Sequence, residues 1–462
     1  MELTIILFVF LVSITYINYL INGKIYISPS VIFSGVFAFS SFWLILFAKK
    51  WDLNLGINTF LVILFGNIIF SLVCKLINSF YIRKEKHKNI KANKLEEIKI
   101  DKFKINVFLI FSIIIIFLTL YYTVKAVNGS FSNIGNALYT YRNLTAYKGE
   151  SVNIPAFIEL LSGILHASSY WFLYVFINNL IVKKKIDIKI LLIIILSALS
   201  STLDGSRGAI VNSILAIIPM LYLLKNKENG YRSKLKLKNI LFITFLSVLL
   251  ISSLKWTATA LGRNDTNEIE TIDYIAMYTG AEIKNLDSYL QEKNLIETNI
   301  GIHTFRTIYD IFSKFVNNNW EMDVVATYRT VNGYNLGNVY TIFFDFICDL
   351  GYFGILFFTS IMAIVSQILY EKSKEAKTDN GKVPISIIMY SYVFGGIVFA
   401  FFGNKFFPQV FSFGFIKYVI LWYLYNLFFL QNKKLDIKVR WKNECQKYNN
   451  SKWLWLYTGR SK

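Results

Sequence analysis

Residues 105–124 read Ile-Asn-Val-Phe-Leu-Ile-Phe-Ser-Ile-Ile-Ile-Ile-Phe-Leu-Thr-Leu-Tyr-Tyr-Thr-Val, without a single charge. About 20 apolar residues is the length at which an α-helix crosses the hydrocarbon core of a bilayer. Working outward from this block, similar runs recur along the whole chain, at 4–22, 30–48, 57–80, 156–180, 189–204, 208–224, 239–256, 351–370, 384–402 and 409–430. The 462 residues are 55% hydrophobic and 17% aromatic, and the apolar residues come in blocks. A soluble chain would sit near 45–50% and spread them at helix or strand period. The expected fold class is therefore an all-α integral membrane protein of about eleven spans. The first block (4–22) lacks a basic leader and a small-residue cleavage site, so it reads as a retained helix.

The formal charge of +20 raises nucleic acid as a partner, but the basic residues are not gathered into one domain. They lie in short tracts between apolar blocks, where they set topology. With the N-terminus outside and the C-terminus inside, inner segments hold 33 Lys and Arg against 14 outside. Four regions follow: spans one to eight over 1–256, a large outer loop over 257–337, the last spans over 338–430, and a basic inner tail over 431–462. The three cysteines, Cys74, Cys348 and Cys445, form no close pair, so neither zinc nor a disulfide framework is suggested.

The outer loop has helical periodicity. Ile302, Phe305, Ile308, Tyr309, Phe312, Phe315 and Val316 predict an amphipathic helix near 301–317. Ile269, Ile272, Ile275 and then Ile283, Leu286, Leu290 predict two shorter helices broken at Gly280, lying on the outer mouth of the bundle. From Asn338 to Tyr370 the apolar run is too long for one span, and Gly351 and Gly354 interrupt it. Residues 338–350 are expected to be a re-entrant or tilted half-helix, which needs protein or a water-filled cavity around it.

Several polar groups on the outer side are candidates for chemistry. Arg207 sits in the turn Asp204-Gly205-Ser206-Arg207-Gly208 between two short spans. Its guanidinium offers a planar fork matching phosphate oxygens; the simpler account is an interfacial Arg answering Asp204. Arg263, Arg306 and Arg329 add positive charge within the loop, and Arg306 also suits an ordinary i,i+4 pair with Asp310. His303, Arg306, Asp310 and Lys314 fall on the polar face of the 301–317 helix, where His303 reads as surface decoration more than as a base. Asp345 and Asp349 are four apart and share one face of the half-helix. Either carboxylate in an apolar run needs a partner or a cavity; one could take a hydroxyl proton, while Asp349 equally suits a cap for the following helix. His166 and Glu159, inside one span, read as helix–helix hydrogen bonders. Aromatics are dense between 121 and 147 and between 401 and 413, mostly as an interfacial belt. No H-E-x-x-H, P-loop or Cys/His cluster occurs, so no metal and no cofactor is expected.

The turn 204–210 resembles the Ser-Arg-Gly element of Wzy-type O-antigen and capsule repeat-unit polymerases. Gly337-Asn338-Val339-Tyr340 through Asp349-Leu350-Gly351-Tyr352-Phe353-Gly354 resembles the segment that such proteins carry after their large outer loop. The resemblance implies a metal-independent glycosyltransferase in the bacterial cytoplasmic membrane, working on its outer face. The growing glycan would pass from undecaprenyl diphosphate to the non-reducing end of another lipid-linked unit. Arg207, Arg263, Arg306 and Arg329 would hold diphosphates, and Arg207, Asp345 and Asp349 would serve catalysis. Lipid-linked oligosaccharides, membrane lipid, a flippase and a chain-length regulator are the implied partners, and nucleic acid is not. An O-antigen ligase-like transferase would share this layout. A non-enzymatic flippase needs charge through both leaflets, which the sparse, outer-sided intramembrane charge does not provide.

Overall fold

A computed structural model describes residues 1–85, 95–147, 152, 154–203, 207–227, 269–292, 301–316, 326–378 and 381–431. Every predicted span within them is helical: α1 (Glu2–Ile21), α2 (Pro29–Phe47), α3 (Ile57–Glu85), α4 (Lys102–Ala126), α6 (Ala156–Lys183), α7 (Ile188–Ser200), α8 (Gly208–Asn226), α12 (Ile342–Glu375), α13 (Ile385–Val398) and α15 (Phe413–Phe429). The expected span at 239–256 and the tail beyond 431 lie outside the described residues. Among the described residues seven helices are long and apolar enough to cross a bilayer, and Ile188–Ser200, Ile385–Phe401 and Phe413–Phe429 are shorter apolar helices. Large side chains such as Phe10, Phe65, Phe117 and Leu427 stand exposed on the bundle's sides. That arrangement suits lipid and not water. The chain is thus a multi-pass, helical membrane protein.

Local chemistry sets the helix ends. Pro29 opens α2, where its missing N–H costs nothing. Asp101, Asp187 and Ser412 accept hydrogen bonds from first-turn N–H groups of α4, α7 and α15. In the bundle α12 packs mainly on α3, α1 on α2, α6 on α7, and α13 on α8.

The long helix α12 contains the expected break. Leu350 and Gly351 leave helical geometry, with φ of 57° at Gly351, a left-handed value that glycine adopts without strain. Residues 342–349 form the predicted half-helix, but it starts at Ile342 and not at 338; residues 338–341 are non-helical. Phe343 lies so close to Gly66 of α3 that an added methyl there would meet its ring at 2.3 Å. Ile342, Phe343, Phe346 and Ile347 are all buried, so protein surrounds the half-helix.

In its described parts the 257–337 loop is fastened to the bundle. Its helices α9 (Thr271–Met277) and α10 (Ala281–Gln291) break at 278–280, as predicted. Gly280 lies against the backbone of α2, 2.9 Å from Leu44 N for an added Cβ. Asp287 of α10 accepts from Gly56 N (2.8 Å) and the Thr59 hydroxyl (2.7 Å) at the start of α3. Asn285 donates to the carbonyls of Leu336 (3.0 Å) and Val339 (2.8 Å). Those carbonyls lie in and just after a hairpin that the sequence reading did not foresee, β1 (Arg329–Val331) and β2 (Tyr334–Gly337). Its Asn332-Gly333 turn has positive φ at both residues, the signature of a tight hairpin. The amphipathic helix α11 (Arg306–Val316) is shorter than the expected 301–317, because 301–305 form a buried turn.

Candidate active site

Asp345 and Asp349 do share a face of the half-helix, and each meets a different piece of the surrounding chain. Asp349 does not cap the helix that follows it. Its carboxylate accepts from His303 N (2.9 Å) and Thr304 N (2.7 Å), so it closes the turn leading into α11. The left-handed Gly351 turns the following helix away, which leaves this carboxylate for the loop.

His303 is consequently not decoration on a polar helix face. It is 4% exposed, packs edge-on to Phe344, and neither ring nitrogen has a hydrogen-bond partner among the described residues. Burial pushes its pKa below the usual 6.5, Asp349 opposes the shift, and Arg306 reinforces it. The ring is therefore neutral at pH 7, with a nitrogen open to accept a proton.

Asp345 is half-buried and accepts a hydrogen bond from the Asn404 side chain. Asn404 also donates to the Thr304 carbonyl at 3.2 Å, joining the half-helix, the loop and the 402–405 bend. Lys405 and Arg306 both act electrostatically on Asp345, and Arg142, the last residue of α5 (Ile134–Arg142), acts on Lys405. The surrounding protein withdraws bulk water from Lys405, although its side chain keeps open surface. Desolvation lowers its pKa from the usual 10.5, Asp345 counters this, and Arg142 and Arg306 add to it. Two cations, Lys405 and Arg306, thus act on one carboxylate, and Arg142 acts on Lys405. Arg306 also makes the foreseen contact with Asp310, at 3.9 Å and with both side chains well exposed, a contact worth little.

Arg207 reaches the same region through aromatic rings. Its Nη1 and Nη2 donate to the phenols of Tyr274 (3.1 Å) and Tyr278 (3.2 Å), on and just after α9. Both are neutral groups, which orient the fork without cancelling its charge. Tyr278 stacks on Phe402 with centroids 5.7 Å apart, and the Lys405 ammonium lies 5.8 Å from the Phe402 ring. One line of contacts therefore runs from Arg207 through Tyr278 and Phe402 to Lys405 and Asp345.

The remaining sequence candidates fall elsewhere. Arg329 is held by Glu292 and by the Tyr340 hydroxyl (2.7 Å), in a contact set of its own beside the hairpin. Arg263 and Asp204 lie outside the described residues. Sequence reasoning missed Arg142, Asn404, Lys405, Tyr274 and Tyr278 as site residues. Asn404-Lys405 carried a signal, a polar pair at the break of an apolar stretch; Arg142 and the tyrosines carried none beyond aromatic density. Among the described residues no group of three or more His, Cys, Asp or Glu could hold a metal ion. The arrangement suits an anionic ester bound by several cations next to a carboxylate and a neutral imidazole. No protein family profile, curated protein or solved structure matches the chain.

Proposed function

We propose that this chain is a polymerase of lipid-linked oligosaccharide repeat units, with eleven spans, an outer N-terminus and an inner C-terminus. The observation that carries the reading is that Arg306 and Lys405 both act on Asp345, with Phe402 and Tyr278 linking Lys405 to Arg207. Phosphate-rich leaving groups at a membrane surface call for that density of cations.

In the reaction, a non-reducing-end hydroxyl oxygen of the acceptor glycan attacks the anomeric carbon of the donor glycan. The bond from that carbon to the diphosphate oxygen breaks, and undecaprenyl diphosphate leaves with the electron pair. Arg207, Arg306 and Lys405 stabilise the charge that develops on it. Asp345 takes the acceptor proton, for which its position among cations and beside Asn404 suits it. His303, neutral and close to Asp349 and Arg306, is the second proton acceptor in reach of the site. Asp349 holds the loop in place.

Deleting the gene tests the reading. Single repeat units on the carrier or the final acceptor, with no long chains, are the expected outcome. Long glycan that fails to reach its acceptor would instead identify a ligase, and lipid-linked units held on the inner leaflet would identify a flippase.

A further inference from the structure

A second polar opening lies at the end of the bundle that carries Arg207. It is a chamber of about 310 Å³ between the outer ends of α4, α6, α7, α8 and α15, and Ala209, two residues after Arg207, is in its wall. Lys417, His166 and Glu159 line it together with the hydroxyls of Thr123, Ser162 and Ser201. The Lys417 ammonium rests on Gly163, where an added methyl would meet it at 2.7 Å. That places a cation about 10 Å along α6 from its start at Ala156, at 1.5 Å per residue. Lys417 has no carboxylate partner among the described residues, and the buried Nδ1 of His166 has no hydrogen-bond partner among them. A cation at that depth is costly unless something answers it.

Below the chamber the same helices change character. One helical turn beyond Tyr418 on α15, Leu421 begins an apolar groove of about 610 Å³, walled by Leu424 and Phe428 of α15 and by Val107, Phe108 and Phe111 of α4. Val107, Leu424 and Phe428 are exposed on the bundle's side, so the groove opens laterally toward lipid. A hydroxyl-lined head chamber with a lysine deep inside and a carboxylate at its mouth, above an apolar groove, has the polarity of a single amphiphile with an anionic, sugar-bearing head and a long hydrocarbon tail.

We propose that chamber and groove together seat one phosphate-headed isoprenoid lipid, its phosphate at Lys417 and its chain along α4 and α15. This rests on the reading of the chain as a polymerase, because transfer between two lipid-linked glycans needs two carrier heads held at once. The Asp345 site takes one and the Lys417 chamber takes the other, with the start of α8 between them. Glu159, at the mouth, then meets sugar hydroxyls beyond the phosphate.

The test uses the full-length protein in nanodiscs and a polyprenyl phosphate carrying a diazirine in its tail. Irradiation should label peptides covering 107–111 and 421–428. Lys417→Met should reduce that labelling by about tenfold, the weight of one charge-assisted phosphate contact. Leu424→Trp, which fills the groove and leaves Lys417 in place, should reduce it as well, whereas Arg207→Ala should not. Equal labelling by the matching polyprenol, labelling unchanged in Lys417→Met, or labelling displaced by a modest rise in phosphatidylglycerol would each overturn the proposal. The readout does not involve glycan synthesis. Failure of the label beside a single-repeat-unit deletion phenotype would sink this inference alone; a specific label without that phenotype would sink the polymerase reading alone.

Discussion

Replacing Asp349 by Ala separates a clamp from a catalyst. The carboxylate is 4% exposed and takes two backbone N–H groups, from His303 and Thr304. Its loss leaves both donors buried and unsatisfied, at about 1–3 kcal/mol each. The turn 301–305 should therefore lose about 2–6 kcal/mol of local stability. The rest of the bundle should hold, because Phe305 is gripped separately by Phe358, Phe407 and Phe411 at 5.9, 5.3 and 5.4 Å. Hydrogen exchange on peptides covering 301–316 reads this loss directly. With a factor of ten per 1.4 kcal/mol, exchange there should accelerate about 30-fold to about 10⁴-fold. Asp349→Asn keeps one acceptor oxygen and should fall between wild type and the Ala variant. Polymerisation lost in Asp349→Ala while exchange stays at the wild-type rate would refute the clamp and place the carboxylate on substrate.

Three further outcomes follow from named groups. Arg207→Lys should lower polymerisation by about 10²–10³, nearly as much as Arg207→Ala, since one ammonium cannot reproduce the fork that reaches both Tyr274 and Tyr278; near-normal chain length, normalised to protein level, would remove Arg207 from the site. The depressed pKa of His303 means that the unfolded turn binds more protons below the usual value of 6.5, so docking is firm above 6.5 and weakens as pH falls below it. Exchange over 301–316, corrected for intrinsic rates, should rise on acidification, and His303→Gln should flatten that rise. Glu282 is 0% exposed with both oxygens unpartnered among the described residues, and burial pushes its pKa well above the usual 4.5. Its contribution is unfavourable at every pH above 4.5, so Glu282→Gln should stabilise the protein at pH 7 by about 1–3 kcal/mol; a lower melting temperature in that variant would contradict this.

Helices were legible in the sequence because a bilayer demands them: a run such as 105–124 has no other stable form in hydrocarbon. The break at Gly351 was legible for the same reason, from a run too long for one span with glycines inside it. What could not be read were contacts between distant segments. The 3.6-residue period around 302–316 is genuine, but periodicity does not report that Asp349 has taken the N–H groups of 303 and 304. That capture turned the first five residues of the predicted helix into a turn and buried His303. Lys405 and Arg142 were likewise visible only as topology charges, since Lys405 meets Asp345 and Arg142 meets Lys405, each pair far apart in sequence.

The 257–337 loop is a structural part of the candidate site and not a cover laid over a finished one. Arg207 is oriented by two tyrosines of the loop, and one of them stacks on the ring beside Lys405. Asp349 and Asn404 hold the loop's 303–304 backbone from the other side, and Asn404 bonds Asp345 as well. Removing either attachment therefore disturbs cations and carboxylate together. The bundle itself tolerates this, because α10 is anchored independently through Asp287 on α3. Fold and site consequently draw on different contacts. Substitutions at Tyr278 or Asn404 should cost activity while leaving membrane insertion intact, whereas a side chain at Gly66 should strike Phe343 and lose both.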